Sequence, residues 1–233
     1  MICYTAVYGG KDKPLLPPRK EAGIEYVCFT DRDFKAPGWD VRKAKRKEST
    51  FRLQAKWFKM HPHELFPGEK TLWVDGNTRG RFDVKPYFEQ LGDAPIGVFK
   101  HAVRECAYDE LYTCIDRAAD HYDSLIKLET FLRNEKYPGQ EGIYIGKTIW
   151  RTPASSELNL LWWNVIRKTS SRDQVSLPYV LWKLNIKPIV FGLWDDAVVP
   201  VIKSGPHLFH GTVEANGTKT KFRTRHDEMG VKK

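Results

Sequence analysis

The chain opens on an apolar run, Ile2 to Tyr8, closed by Gly9-Gly10, and a second run, Glu25 to Thr30, ends at Asp31. Short apolar runs bounded by turn residues predict buried strands. The period then changes. In Ser49 to Met60, Phe51, Ala55 and Phe58 recur at helical spacing, with Ser49 placed to cap the start. Thr71 to Val74 predicts a short buried strand ending at Asp75, Val84 to Leu91 a short helix, and Ile96 to Phe99 another strand. Glu105 to Lys136 has a helical pattern broken near His121, so two helices are expected. Gly142 to Trp150 returns to strand, and Ser155 to Lys168 predicts a helix with Leu158, Leu161, Trp162 and Val165 on one face. Asp173 to Leu184 predicts a helix whose Pro178 is early enough to be tolerated or to kink it. Pro188 to Phe191 closes the pattern as a last short strand. Strands alternating with helices over the first hundred residues predict an α/β layer with parallel strands. No repeat or low-complexity linker interrupts the chain, so a single domain over residues 1–215 is expected, with a tail over 216–233.

Composition excludes two classes. With 41% hydrophobic and 13% aromatic residues in 233, the chain has enough apolar surface for a core and is not of the disordered type. No stretch approaches the roughly 18 apolar residues that a membrane-spanning helix needs. The net charge of +9 invites a nucleic-acid reading, but it is local. Lys35 to Lys59 holds nine basic residues against two acidic ones, and Asn216 to Lys233 holds six against two. The rest of the chain is close to neutral, so the picture is two basic segments that could meet polyphosphate in a nucleic acid, an anionic surface or a nucleotide sugar.

The cysteines, Cys3, Cys28, Cys106 and Cys114, form no CxxC pair and no zinc spacing. They are expected to be reduced and structural. The start reads directly as a strand with no basic segment or long apolar core of a signal peptide, so a cytoplasmic protein is expected. The Asn216-Gly217-Thr218 sequon carries little weight in that setting.

Four local patterns could carry chemistry. In Leu72-Trp73-Val74-Asp75-Gly76-Asn77, a buried strand runs into a carboxylate, a glycine and a second side-chain oxygen. Asp75 and Asn77 could offer oxygen to Mg²⁺ or Mn²⁺, which could bridge a diphosphate, while Gly76 lets the backbone come close. The same three residues are also a common turn sequence. Arg52 and Lys56, four apart on a helix, share a face and could point at phosphate. Asp173 and Gln174 open a predicted helix, where the acid could serve the helix N-terminus or both could bond sugar hydroxyls. His207 and His210 are candidate metal ligands, although in a strand residues three apart face opposite sides and at most one would join a given site.

Taken in order, these blocks resemble a known family. YTAVYGG, EYVCFTD, FRLQAKWFKMHPHELF and TLWVDGN, then His101 to Glu110 and Trp162-Trp163 with Ser171 to Ser176, resemble the glycosyltransferase-like domain family of plant mucilage-related proteins. The likeness covers roughly residues 1–185. It implies a GT-A, Rossmann-like fold with a mixed central sheet flanked by helices, similar to retaining transferases of glycosyltransferase family 8. It further implies that Asp75 and Asn77 take the metal-binding D-x-D role, Asp173 and Gln174 the D-Q role beside the transferred sugar, and His207 or His210 the late histidine role. Asn77 departs from the family pattern by replacing a carboxylate. Thr5, Ala6 and Tyr8 on the first strand, and Asp31 on the second, are implied at the nucleotide. The expected activity is transfer of a hexosyl group from a nucleoside diphosphate sugar, UDP-hexose first, to a glycan or other hydroxyl acceptor, assisted by Mn²⁺ or Mg²⁺. The competing expectations are a catalytically weak sugar-nucleotide binder and a basic nucleic-acid-binding protein. Asp109, Glu110 and Asp173 are the candidate bases if the reaction inverts configuration.

Overall fold

The computed structural model describes residues 1–10, 14, 17–44, 48–79 and 82–194, and the backbone of 203–204, 212–213 and 219–220. Its centre is a seven-stranded mixed sheet with helices packed on it. The strands are β1 (Ile2–Val7), β2 (Glu25–Thr30), β3 (Asp40–Lys43), β4 (Thr71–Val74), β6 (Ile96–His101), β7 (Thr148–Arg151) and β8 (Ile189–Trp194), in the order β3-β2-β1-β4-β7-β6-β8. β5 (Thr78–Arg79) stands apart and pairs antiparallel with β9 (Lys203–Ser204), as β10 (Thr212–Val213) does with β11 (Lys219–Thr220). The helices are α1 (Phe51–Met60), α2 (Pro62–Leu65), α3 (Lys85–Leu91), α4 (Ala107–Asp116), α5 (Tyr122–Asn134), α6 (Ser156–Lys168) and α7 (Asp173–Lys183), with a short 3-10 turn at Pro153–Ser155.

Every residue of β1 is buried, as a strand covered on both faces requires. Alternation then splits the strand between two core layers. Ile2, Tyr4 and Ala6 pack with Trp57 and Phe58 of α1 and Trp162 of α6, while Cys3 and Val7 join Leu72, Val74 and Trp150 on the side of α3. β1, β2, β3 and β4 run parallel, as expected. β7 is inserted antiparallel between β4 and β6, and β8 returns parallel to β6.

The predicted strand over Gly142 to Trp150 is shorter than expected. β7 begins at Thr148, and residues 142–147 form a loop with a single bridge from Tyr144 to Lys100. Gly142, at φ +83°, keeps the start of that run out of extended geometry. The cap of α1 is Thr50, not Ser49: Thr50 is the extended residue, and its hydroxyl accepts from Leu53 N at 3.1 Å. β3 was not expected, because its DVRK sequence has no apolar run. Pro178 sits inside α7 without ending it. The cysteines are unpaired, and Cys3, Cys28 and Cys114 are buried. No helix among the described residues is long and apolar enough to cross a membrane.

Candidate functional site

The order of the strands reverses at β1. The chain runs outward from β1 through β2 to β3, then crosses to place β4 on the other side of β1. In open α/β sheets, ligands bind at such a reversal, beyond the carboxyl ends of the strands. Asp75 and Gly76 stand there. A Cβ on Gly76 would lie 2.6 Å from Val7 Cγ1, so only glycine lets the β4 turn approach β1 so closely.

Parity decides where Asp75 points. Leu72 and Val74 enter the α3 layer and Trp73 the α1 layer. Side chains two apart share a face, so Asp75 turns to the side of α1. Trp73 Nε1 donates to Asp75 Oδ1 at 2.6 Å.

The helix α1 brings three cations to that face. Arg52, Lys56 and Lys59 are spaced i, i+4 and i+7 and stack along one side. Lys59 Nζ lies 3.3 Å from Asp75 Oδ1 and 2.5 Å from Asp173 Oδ2, and it donates to the Gly146 carbonyl at 2.5 Å. Its side chain is 1% exposed. Lys56 Nζ is 2.5 Å from the same Asp173 oxygen but keeps 18% of its side chain exposed. Burial pushes the Lys56 ammonium down to about 8, opposed by the negative charge of Asp173. Arg52 turns to a neighbouring carboxylate. Its Nη1 donates to Ala119 O and Ser171 Oγ, both at 3.2 Å, and lies 3.7 Å from Asp120 Oδ1.

Asp173 opens α7 and is buried. Burial alone would raise its pKa, but Lys56 and Lys59 outweigh that and hold the carboxyl far below the usual range. Gly146 makes the close grouping feasible, since a Cβ there would meet Asp173 Oδ2 at 3.2 Å and Lys59 Nζ at 3.3 Å. The backbone of Lys59 is clamped too. Arg151 Nη1 and the Tyr4 hydroxyl donate to its carbonyl at 2.8 Å and 3.2 Å. Arg151 is fully buried with its guanidinium over Trp162. Beside Asp173, Gln174 Nε2 donates to Glu110 Oε1 at 3.0 Å, and Arg104 Nε pairs with Glu110 Oε2.

The structure therefore gathers Lys56, Asp75, Gly76 and Asp173, with Arg52 and Gln174 at the margin. Asn77 lies in the same turn, half-buried. Thr5 and Ala6 are buried within the sheet, and Tyr8 is a core ring, stacked on Phe58 with its hydroxyl donating to Ala44 O at 2.7 Å. Asp31 closes the loop after β1, accepting from Gly9 N at 3.3 Å. His207 and His210 lie outside the described residues. Sequence reasoning missed Lys59, although it continues the spacing of Arg52 and Lys56. It also missed Asp120 and Gly146, for which no local pattern gave a signal.

A divalent ion at Asp75 and Asn77 needs several hard oxygen donors with lone pairs to give. Asp75 Oδ1 already faces Trp73 Nε1 and the Lys59 ammonium, and Asp173 Oδ2 faces two ammonium groups. Among the described residues, no group of three or more His, Cys, Asp or Glu could hold a metal. Among the described residues, these carboxylates therefore face ammonium groups where a divalent ion would need them, and His207 and His210, the other expected ligands, lie outside the described residues.

No protein-family model matches the chain, and no curated protein matches it. Among solved structures, the chain is similar to the WbbM bifunctional glycosyltransferase in its apo structure, with a TM-score of 0.46 and 10% sequence identity over 82% of this chain and 38% of that one. The chain thus spans well under half of that protein.

Proposed function

We propose that the protein is a glycosyltransferase that moves a hexosyl group from a nucleoside diphosphate sugar, with UDP as the expected nucleotide, to a hydroxyl acceptor. One observation carries the reading: Lys56, Lys59, Asp75 and Asp173 converge beyond the carboxyl ends of β1 and β4, where the strand order reverses. The ordered sequence blocks that resemble the mucilage-related, GT-A type support it. The nucleic-acid alternative is disfavoured because carboxylates enclose Lys59 and Lys56 shares Asp173 with it, which leaves little of either cation on an open surface.

In the transfer, the bond from the anomeric carbon to the diphosphate breaks, and its electron pair leaves with the diphosphate. The acceptor oxygen bonds to that carbon and gives its proton to a diphosphate oxygen. Negative charge grows on the leaving group, and fixed cations beside it lower the barrier. Lys56, partly exposed, is the α1 cation best set to meet it, with Arg52 one turn earlier. Asp173 and Gln174 orient the sugar. Asp173 and Glu110 are both ion-paired and ill suited to take a proton, while Asp109 is exposed on α4. That favours a retaining course, which needs no strong protein base.

A thermal-shift panel of nucleoside diphosphate sugars, followed by assay of UDP release, tests the reading. A ligand that binds the native state raises the midpoint. A nucleotide-specific rise with turnover is expected. A flat response to the whole panel would sink the proposal.

A further inference from the structure

Lys59 has an unusual environment for a lysine. Its ammonium has three protons, and three oxygens from three separate segments surround it: Asp75 Oδ1 at the end of β4, the Gly146 carbonyl before β7, and Asp173 Oδ2 at the start of α7. An oxygen cage drawn from distant parts of a chain is what a bound cation requires. A charge this buried is tolerated only when fully paired. Its position is fixed from behind by Arg151 and Tyr4 on its own carbonyl, and from the side by Trp73, whose ring lies 5.4 Å from Nζ.

We propose that the Lys59 ammonium is the resident cation of this site, filling the cage of Asp75, Gly146 and Asp173 in place of a divalent ion. Lys56, adjacent and partly exposed, then supplies the charge that meets the diphosphate. The inference rests on the glycosyltransferase reading and deepens it. Two ammonium groups bring the same double positive charge as one divalent ion and balance the same two carboxylates. Asn77 fits this scheme, since a site that holds an ammonium does not need a second carboxylate in the turn.

The scheme makes donor binding independent of metal. Isothermal titration of UDP into the full chain, in EDTA and then in Mn²⁺, is expected to give affinities within about twofold of each other. Wild-type protein is expected to leave the electron paramagnetic resonance signal of Mn²⁺ unbound. Lys59→Ala opens the cage, so that variant is expected to bind Mn²⁺ and to need it for UDP binding. Lys59→Arg, which keeps the charge, is the control should Lys59→Ala fail to fold, and it is expected to stay metal-independent. UDP binding by wild-type protein that appears only with Mn²⁺ would overturn this inference and leave the transferase reading standing. No binding of UDP or any nucleotide sugar under either condition would overturn both.

Discussion

The basic segment 35–59 contains two regions that look alike in composition and differ in every physical respect. On β3, Arg42 pairs with Asp40 at 2.8 Å and Lys43 with Asp33 at 2.6 Å, and the Lys43 side chain is 55% exposed. On α1, the cations are turned inward, and Lys59 is 1% exposed between two carboxylates. Exposed pairs are screened by water and contribute about 0–1 kcal/mol. A buried pair has given up hydration, so removing one member leaves an uncompensated charge. A count of positive residues therefore says little about a binding surface until the direction of each side chain is known.

The comparison is sharpest where one partner is removed from the buried cluster. Asp173→Ala leaves Lys56 and Lys59 without their shared oxygen, and denaturant unfolding is expected to show a loss of about 3–5 kcal/mol. A loss under about 1 kcal/mol would place the cluster with the surface pairs. Asp75→Ala is expected to act on function more than on fold, because the side chain is 31% exposed. UDP release from the donor is expected to fall by roughly a hundredfold, the size of a misplaced cation at a reacting centre, because Asp75 helps hold the Lys59 ammonium in position. Wild-type turnover by a folded Asp75→Ala protein would remove Asp75 from the site.

Acid gives the next effect. Asp173 is held below its ordinary range, and so is Asp120: burial would raise Asp120, but Arg52 and the hydroxyls of Ser170 and Ser171 outweigh it. Both carboxyls bind fewer protons folded than unfolded, so their contribution is complete above the unfolded value of about 4 and is lost as pH falls below it. The melting temperature is expected to fall on acidification from about pH 5 to pH 3, and Asp120→Asn is expected to flatten that slope. A slope unchanged in the variant would remove Asp120 from the account. The smallest effect belongs to β3, where Lys43→Ala is expected to shift stability by no more than about 0.5 kcal/mol. A larger shift would erase the distinction between the two regions.

Much of the frame was legible along the chain. β2 and β4 match the predicted bounds, and β1 differs from its prediction by one residue, because strands covered on both faces read as nearly continuous apolar runs. The break between α4 and α5 falls at 117–121, beside the expected His121. The misses have equally local causes. β3 is a charged strand at the end of the sheet, so it lacks the apolar run that marks the others. Residues 143 and 145 are buried isoleucines and mimic a strand, yet the segment is a loop that delivers the Gly146 carbonyl to Lys59.

By itself, the sequence determined the alternating order of strands and helices, the carboxylate at the end of β4 and the cationic face of α1. These follow from periodicity, which is a property of neighbours in the chain. Only the tertiary structure decided that Lys59 meets Asp75, Gly146 and Asp173, that Arg52 turns to Asp120, and that the basic segment divides into a solvated strand and a buried helix face. Those pairings join residues 16 to 114 positions apart, and the burial that gives them their strength arises only when the sheet and its helices close around them.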